Sequence, residues 1–261
     1  MTLSTAEIVS YIGGYFWPFV RIGAMLMVVP IFGAQRIVPV KIRLGLAIVL
    51  TWMIAPMLPA VPAVDPLSLD GLLITVQQLM LGVAMGFIIG FIFSSMVVAG
   101  HNIAMSMGLG FAQFLDPNGV SVPVVSSFYL IIGTLLYLSL NGHLISIQIL
   151  YESFETIPVG TIGLEVNSYL TIALWASKIF VGAILIALPV LITIMLINAG
   201  FGVMMRAAPT LNIFAVGFPT TMMAGFLLIF LTLPTLLPRF TEIMMGSFDL
   251  IEEILLAGGA G

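Results

Sequence analysis

The segment GLGFAQFLDPNGVSVP, from Gly108 to Pro123, lies in the middle of the chain and cannot form one long helix. It contains three glycines, a Pro-Asn-Gly turn and a second proline, all of which favour turns over continuous helical hydrogen bonding. Asp116 is its only charged residue, so the segment is too apolar for an ordinary solvated loop. This segment, called the loop segment below, therefore needs an apolar environment.

The composition of the whole chain indicates what that environment is. Of its 261 residues, 61% are hydrophobic and only 7% are charged, whereas soluble domains carry about 25% charged residues. A soluble protein of this size would have too few charges to cover its surface, so we predict an integral membrane protein. Cysteine is absent, which excludes disulfides, thiolate nucleophiles and cysteine metal ligands.

Six apolar runs follow one another, each close to or above the roughly 20 residues that cross a bilayer. They cover residues 8–33, 44–60, 71–100, 127–150, 169–200 and 212–237. Several prolines fall in or beside these runs and predict kinked helices. We expect an all-α membrane protein with about six hydrophobic helices, arranged as kinked hairpins in a single domain over residues 1–261.

The charged residues suggest an orientation in the membrane. The basic residues between runs lie in two connections: Arg36, Lys41 and Arg43 in the first, and Arg206 in the fifth. The opposite connections carry only acidic residues, so the positive-inside rule places the basic connections in the cytoplasm and both termini outside it. Within the first run, Arg21 has two interpretations: a buried polar partner, or a side chain that snorkels to the interface.

The third run carries a small residue at every fourth position: Gly82, Gly86, Gly90 and Ser94. In a helix these residues form one stripe along which another backbone can approach closely. The stripe is equally compatible with packing inside this chain and with packing against another subunit. Both interpretations predict tight helix association.

The C-terminal residues 239–256 form an amphipathic acidic tail. Its apolar residues between Phe240 and Leu255 share one helical face, and its acidic residues occupy the rest. Because anionic lipid repels an acidic helix, we expect this tail to bind a partner or to pack on its own chain.

The common nucleotide-binding, zinc-protease and hydrolase motifs are missing from the sequence. We therefore expect no catalytic residue, no metal site and no cofactor. Two classes of function remain: a secondary transporter whose broken helices build a binding site, and a structural subunit of a larger pore. All eleven acidic residues lie in loops, at run edges or in the tail, which argues against proton or sodium coupling and favours the pore.

A second motif, RAAPTLNIFAVGFP from Arg206 to Pro219, closely resembles the signature of the FliR family of flagellar export-gate proteins. The positions that fit are Arg206, Pro209, Asn212, Phe214, Gly217 and Pro219. Thr210 departs from the glutamine expected there. The first motif, MGLGFAQFLDP from Met107 to Pro117, resembles the other characteristic segment of that family. With the length and the order of the runs, the likeness covers essentially the whole chain.

The resemblance implies a structural, non-enzymatic subunit of the flagellar type III export gate, located in the bacterial inner membrane within the flagellar basal body. Such proteins assemble with FliP and FliQ subunits, associate with FlhB and pass unfolded flagellar proteins. Their fold is similar to a fusion of FliP-like and FliQ-like helical hairpins, in a gate raised toward the periplasm. The other expected contact is membrane lipid, and no nucleic acid is expected.

The resemblance also implies that the loop segment is a plug inside the closed gate. Irregular backbone at membrane depth is tolerated only where protein buries it or where it lines a cavity. The residues expected to turn the chain and fill a narrow lumen are Gly108, Gly110, Phe111, Phe114, Leu115, Asp116, Pro117 and Gly119. The alternative is an ordinary packed re-entrant loop.

Overall fold

The computed structural model describes residues 5–30, 39–59, 61–110, 124–160, 163–207 and 213–259. Within these ranges all regular structure is helical, which confirms the expected all-α membrane fold. The α-helices are α1 (Thr5–Val28), α2 (Val40–Ile54), α3 (Leu69–Ser106), α4 (Val124–Ser139), α5 (Gly142–Thr156), α6 (Val166–Trp175), α7 (Ser177–Ala207) and α8 (Ile213–Gly259). A short 3₁₀ turn, Ala55–Met57, follows α2.

The number of possible spans agrees with the sequence. In the described part of the chain, 5 helical stretches are long and apolar enough to cross a membrane, and a bent pair formed by α4 and α5 raises the number to 6. The helix of the fourth run breaks after Ser139. Asn141 lies in this break with a φ of 58°, a left-handed conformation that asparagine tolerates better than most residues.

The last helix is longer than the sixth apolar run. Helix α8 continues through the acidic tail as one helix of 47 residues, although three prolines lie inside it. The apolar residues of the tail that are buried in this chain are Phe240, Met244, Phe248, Leu250, Ile251, Ile254 and Leu255, whereas its acidic residues are exposed. Of the two alternatives for the tail, this burial favours packing on its own chain.

The chain forms two compact units. Unit 1 comprises Met1–Phe91, Leu140–Ala176 and Met244–Gly261, and unit 2 comprises Ile92–Ser139 and Ser177–Ile243. Each unit has its own buried apolar side chains. The organisation of residues 1–261 as a single functional domain stays a prediction.

In unit 1, helix α3 approaches α1 closely through two glycines of the small-residue stripe. A Cβ atom on Gly82 would collide with the backbone carbonyl oxygen of Arg21, and one on Gly86 would lie 2.8 Å from that of Met25. The two backbones can lie this close only because both positions lack a side chain.

The side chain of Arg21 is completely buried in unit 1. Its Nε donates to Oε1 of Gln78 at 2.7 Å, its Nη1 to the carbonyl oxygen of Ser153 at 2.7 Å, and its Nη2 to that of Ile157 at 2.8 Å. The guanidinium carbon lies 4.1 Å from the centroid of the Phe154 ring. Arg21 therefore has buried polar partners and does not snorkel, and none of these partners is a carboxylate.

The partners of Arg21 explain how a buried cation is tolerated. Both carbonyl groups lie at the C-terminal end of α5. The Ser153 carbonyl also accepts from the backbone N–H of Ile157 at 3.0 Å, whereas Ile157 follows the last residue of the helix, where carbonyl groups lack an intrahelical donor. The helix dipole makes this end partly negative, which favours a positive charge. One guanidinium thus joins α1, α3 and the end of α5. It supplies the donor for the Gln78 side-chain oxygen and the Ile157 carbonyl in an apolar interior, and a second donor for the Ser153 carbonyl.

We predict that Arg21→Met destabilises the protein by roughly 2–5 kcal/mol, because the acceptors on α3 and α5 lose their donor in an apolar interior. The stability of Arg21→Lys should lie between those of Arg21→Met and wild type. A compact ammonium group cannot reach all the acceptors that the planar guanidinium binds along its two edges. Thermal unfolding of the solubilised protein, followed by circular dichroism, measures both. If Arg21→Met unfolds at the wild-type temperature, these contacts contribute nothing to stability.

Candidate functional site

Only the beginning of the first motif lies in the described part of the chain. Gly108 and Gly110 belong to the short described stretch, residues 107–110, that follows the end of α3. The other residues assigned to the plug lie outside the described residues: Phe111, Phe114, Leu115, Asp116, Pro117 and Gly119.

The second motif joins α7 to α8. Arg206 is exposed in the last turn of α7, while Gly217 is buried and Pro219 is exposed in the first turns of α8. Pro209 and Asn212 lie outside the described residues, as does the side chain of Phe214, whose backbone belongs to α8.

The remaining two residues of the small-residue stripe differ from Gly82 and Gly86. Gly90 has more room, since a Cβ atom there would lie 3.9 Å from the ring of Pro30. Ser94 is exposed. Close backbone approach is therefore limited to the first half of the stripe within this chain, and a role of the second half in subunit packing stays a prediction.

Helix α3 ends in a cap that places the start of the loop segment. Gly108 has a φ of 82°, a left-handed conformation that favours glycine. Its N–H donates to the carbonyl oxygen of Met105 at 3.1 Å, and the N–H of Leu109 donates to that of Ala104 at 3.0 Å. These are the two hydrogen bonds of a Schellman motif. The sequence therefore stops α3 at a defined residue, directly before the loop segment.

The structure brings this cap, in unit 2, to the end of the second motif. The ring of Phe218 lies 3.0 Å from the point where a Cβ atom on Gly108 would be. One turn further along α8, the hydroxyl of Thr221 has two acceptors within reach: the carbonyl oxygen of Phe218 in its own helix at 3.0 Å, and that of Met107 at 3.4 Å. The two motifs are thus in contact, although about 100 residues separate them in the sequence.

A third contact completes the arrangement. The side chain of Met107 is completely buried and lies over Gly225 of α8, where a Cβ atom would be 2.6 Å from the Met107 Cγ. The sequence did not single out Thr221 and Gly225, because they follow the second motif inside an ordinary apolar run. The only sequence signal for this contact is the glycine at residue 225, because a position without a side chain allows another group to approach the helix backbone closely.

The chemistry of this site is packing. Its groups are one methionine, one aromatic ring, one hydroxyl and two glycines, none of which is a strong acid, base or nucleophile. Its geometry holds the end of α3 against one face of α8 inside unit 2.

Comparison with known sequences gives the family. Residues 12–247 match the model of the family described as bacterial export proteins, family 1. The chain is 35% identical over 256 residues to the flagellar biosynthetic protein FliR of Escherichia coli K12, which covers 98% of this chain and 97% of that protein. The chain belongs to the FliR family. FliR of Pectobacterium carotovorum is 35% identical over 257 residues, with 98% and 97% covered. FliR of Bacillus subtilis is 24% identical over 258 residues, with 97% and 98% covered.

We predict that Gly108→Ala destabilises the protein by about 1–2 kcal/mol, since a Cβ atom disfavours the left-handed backbone and would also press on the Phe218 ring. In the Gly108→Ala/Phe218→Ala double variant, only the backbone cost should remain. A double-mutant cycle of unfolding temperatures separates the two contributions. If Gly108→Ala is as stable as wild type, the left-handed cap does not hold in solution.

Proposed function

We propose that this chain is a structural, pore-forming subunit of the flagellar type III protein export gate in the bacterial inner membrane. In this gate it assembles with FliP and FliQ homologues, contacts an FlhB homologue and passes unfolded flagellar proteins. The observation that carries the proposal is the match to flagellar biosynthetic proteins over nearly the whole chain. The apolar helices, long enough for a membrane, support the inner-membrane location.

The surface of the chain supports assembly with other apolar subunits. Large apolar side chains are exposed on several helices, among them Trp52 on α2, Met195 on α7 and Phe230 on α8, which are 72%, 68% and 69% exposed. In the 18-residue apolar stretches that α2 and α8 offer as membrane spans, only 22% of the residues are buried within the chain, against 67% in the corresponding stretch of α3. Lipid or neighbouring subunits must cover such faces, because contiguous apolar surface of this extent is not stable in water.

The length of α3 supports a gate that is raised out of the bilayer. This helix has 38 residues and contains no proline, so at 1.5 Å per residue it is about 57 Å long. The hydrocarbon core of a bilayer is only about 30 Å thick. We propose that α3 extends beyond the bilayer toward the periplasm, with FliP and FliQ homologues packed around the chain.

Co-expression with the FliP and FliQ homologues should yield one detergent-resistant complex, because the exposed apolar faces then have partners. Affinity purification on a tag carried by this chain, followed by mass measurement, tests this. A chain expressed alone should be recovered mainly as aggregate. A monodisperse chain that, without partners, carries a small solute across liposomes would instead support a secondary transporter.

We also propose that the loop segment closes the resting gate. A passage wide enough for an unfolded polypeptide would leak ions unless something filled it. The loop segment carries a single charge and begins at the cap that follows the buried Met107, so an apolar stretch of chain starts from a defined position. Phe111 and Phe114 supply the apolar volume for a narrow lumen.

Replacing Phe111 and Phe114 with alanine should raise the resting ion conductance of cells while the complex still assembles, since the lumen loses its filling. Phe87→Ala/Phe128→Ala is the matched control, because it removes two exposed aromatic rings from α3 and α4 and leaves the loop segment intact. Ion-sensitive dyes report conductance, and secretion of flagellar proteins reports export. A membrane that stays as tight as wild type, with normal assembly, would show that the loop segment is not the seal.

A further inference from the structure

A cleft of about 270 Å³ opens in unit 2 between α4, α7 and α8. Leu185, Leu188 and Pro189 line it from α7, and Leu233 lines it from α8. Arg239, also on α8, is the one charged residue in its wall. The cleft is therefore apolar along most of its length and carries a cation at one end.

The hydroxyl groups in the wall of this cleft already have partners inside the protein. Thr232 Oγ1 donates to the carbonyl oxygen of Leu228 at 2.8 Å, and Thr235 Oγ1 donates to that of Thr232 at 2.7 Å. The hydroxyl of Tyr129 is hydrogen-bonded to Thr232. A cavity holds ordered water only where several polar groups need a partner. The cleft is therefore better suited to an apolar chain than to water.

The charges of α7 indicate how deep in the membrane this cleft lies. Among the 31 residues of α7 only Lys178 and Arg206, in its first and last turns, are charged. At 1.5 Å per residue this helix is about 46 Å long, close to the roughly 40–45 Å of a bilayer with its headgroups. One turn after Lys178, a Cβ atom on Gly182 would lie 2.7 Å from Cδ1 of Ile243 on α8. Arg239, one turn before Ile243, therefore lies near the Lys178 end, at the depth of the headgroups.

The cation at the end of the cleft belongs to an exposed ion pair. Nη1 of Arg239 lies 3.1 Å from Oε2 of Glu242, and both side chains are exposed. This pair uses one of the five N–H groups of the guanidinium, so Arg239 can bind a second anion without releasing Glu242. A positive and a negative charge thus lie side by side at the mouth of the cleft, and they complement a ligand that carries both signs.

We propose that this cleft binds a phospholipid whose headgroup carries an amine. The phosphate binds the free edge of the Arg239 guanidinium, the ammonium lies beside the Glu242 carboxylate, and one acyl chain lies along Leu185, Leu188 and Pro189. An anionic lipid without an amine would bring its phosphate close to Glu242 with no charge to offset the repulsion. The site requires only that the chain lies in a membrane, so it is independent of the proposed gate and of the loop segment.

The same unit offers a matched control groove. It has a volume of about 250 Å³, lies between α4 and α8, and is lined by apolar residues that include Val124, Phe128, Phe226 and Phe230. No charged residue lines this groove. It can hold an acyl chain but has no group that selects a headgroup. Binding by apolar contact in general should involve both grooves, whereas headgroup recognition should involve only the cleft beside Arg239.

The test uses the full chain, extracted from the membrane through an affinity tag with the partners that it retains. Phosphatidylethanolamine and phosphatidylglycerol with identical acyl chains are added in equal amounts, and native mass spectrometry measures which of them stays bound. We expect the wild-type chain to retain phosphatidylethanolamine in preference. Arg239→Gln should weaken this binding about tenfold, as expected for the loss of a charge-assisted hydrogen bond. Glu242→Gln should abolish the preference between the two lipids.

Two controls separate recognition from general effects. Lys178→Gln removes a cation at the same end of the unit that does not line the cleft, so it should leave binding unchanged. Leu188→Trp fills the cleft and should abolish binding, whereas Val124→Trp fills the control groove and should not. Both residues are exposed, so all variants should melt within a few degrees of wild type.

Equal retention of the two lipids by the wild-type chain would overturn the proposal. So would unchanged binding in Arg239→Gln, or an equal loss of lipid in Leu188→Trp and Val124→Trp. If Leu188→Trp instead loses a co-purifying protein while its lipid content stays the same, a helix of that protein occupies the cleft and the lipid site is wrong.

Discussion

The buried guanidinium of Arg21 is the interaction on which unit 1 depends. Removing a charge from water is expensive, so a completely buried arginine persists only when its donors are matched by acceptors in fixed positions. Here the acceptors come from α3 and from the C-terminal end of α5. Their alignment requires α1 and α3 to lie close together, and Gly82 and Gly86 permit that distance. One polar contact thereby dictates the arrangement of three apolar helices.

Glycine plays the same part in both units for one physical reason. In an apolar solvent, helices gain little from burying apolar side chains, so close backbone approach and interhelical hydrogen bonds provide the stability. Gly82 lies against the Arg21 carbonyl in unit 1, and Gly225 lies beneath Met107 in unit 2. In each unit a hydrogen bond accompanies the glycine contact, from Arg21 in one and from Thr221 in the other.

These constraints bear directly on function. The structure of unit 2 provides a fixed part at the junction of the two motifs, where a Schellman cap, a buried methionine and one face of α8 meet. The exposed apolar faces of α2, α7 and α8 offer surfaces for neighbouring subunits or lipid. The second motif, around Phe218, supplies part of the surface on which α3 ends.

The sequence by itself determined the helical class, the approximate number of spans and the family. Lipid leaves long apolar runs no structure but the helix, and glycine at residue 108 favours a left-handed cap in almost any context. It left open the partners of Arg21, the place where the fourth run breaks, and whether the tail packs on its own chain. Only the tertiary structure decided these points. The partners of Arg21 lie up to 136 residues away, and whether a helix breaks at Asn141 or continues through three prolines depends on the neighbours that satisfy its backbone.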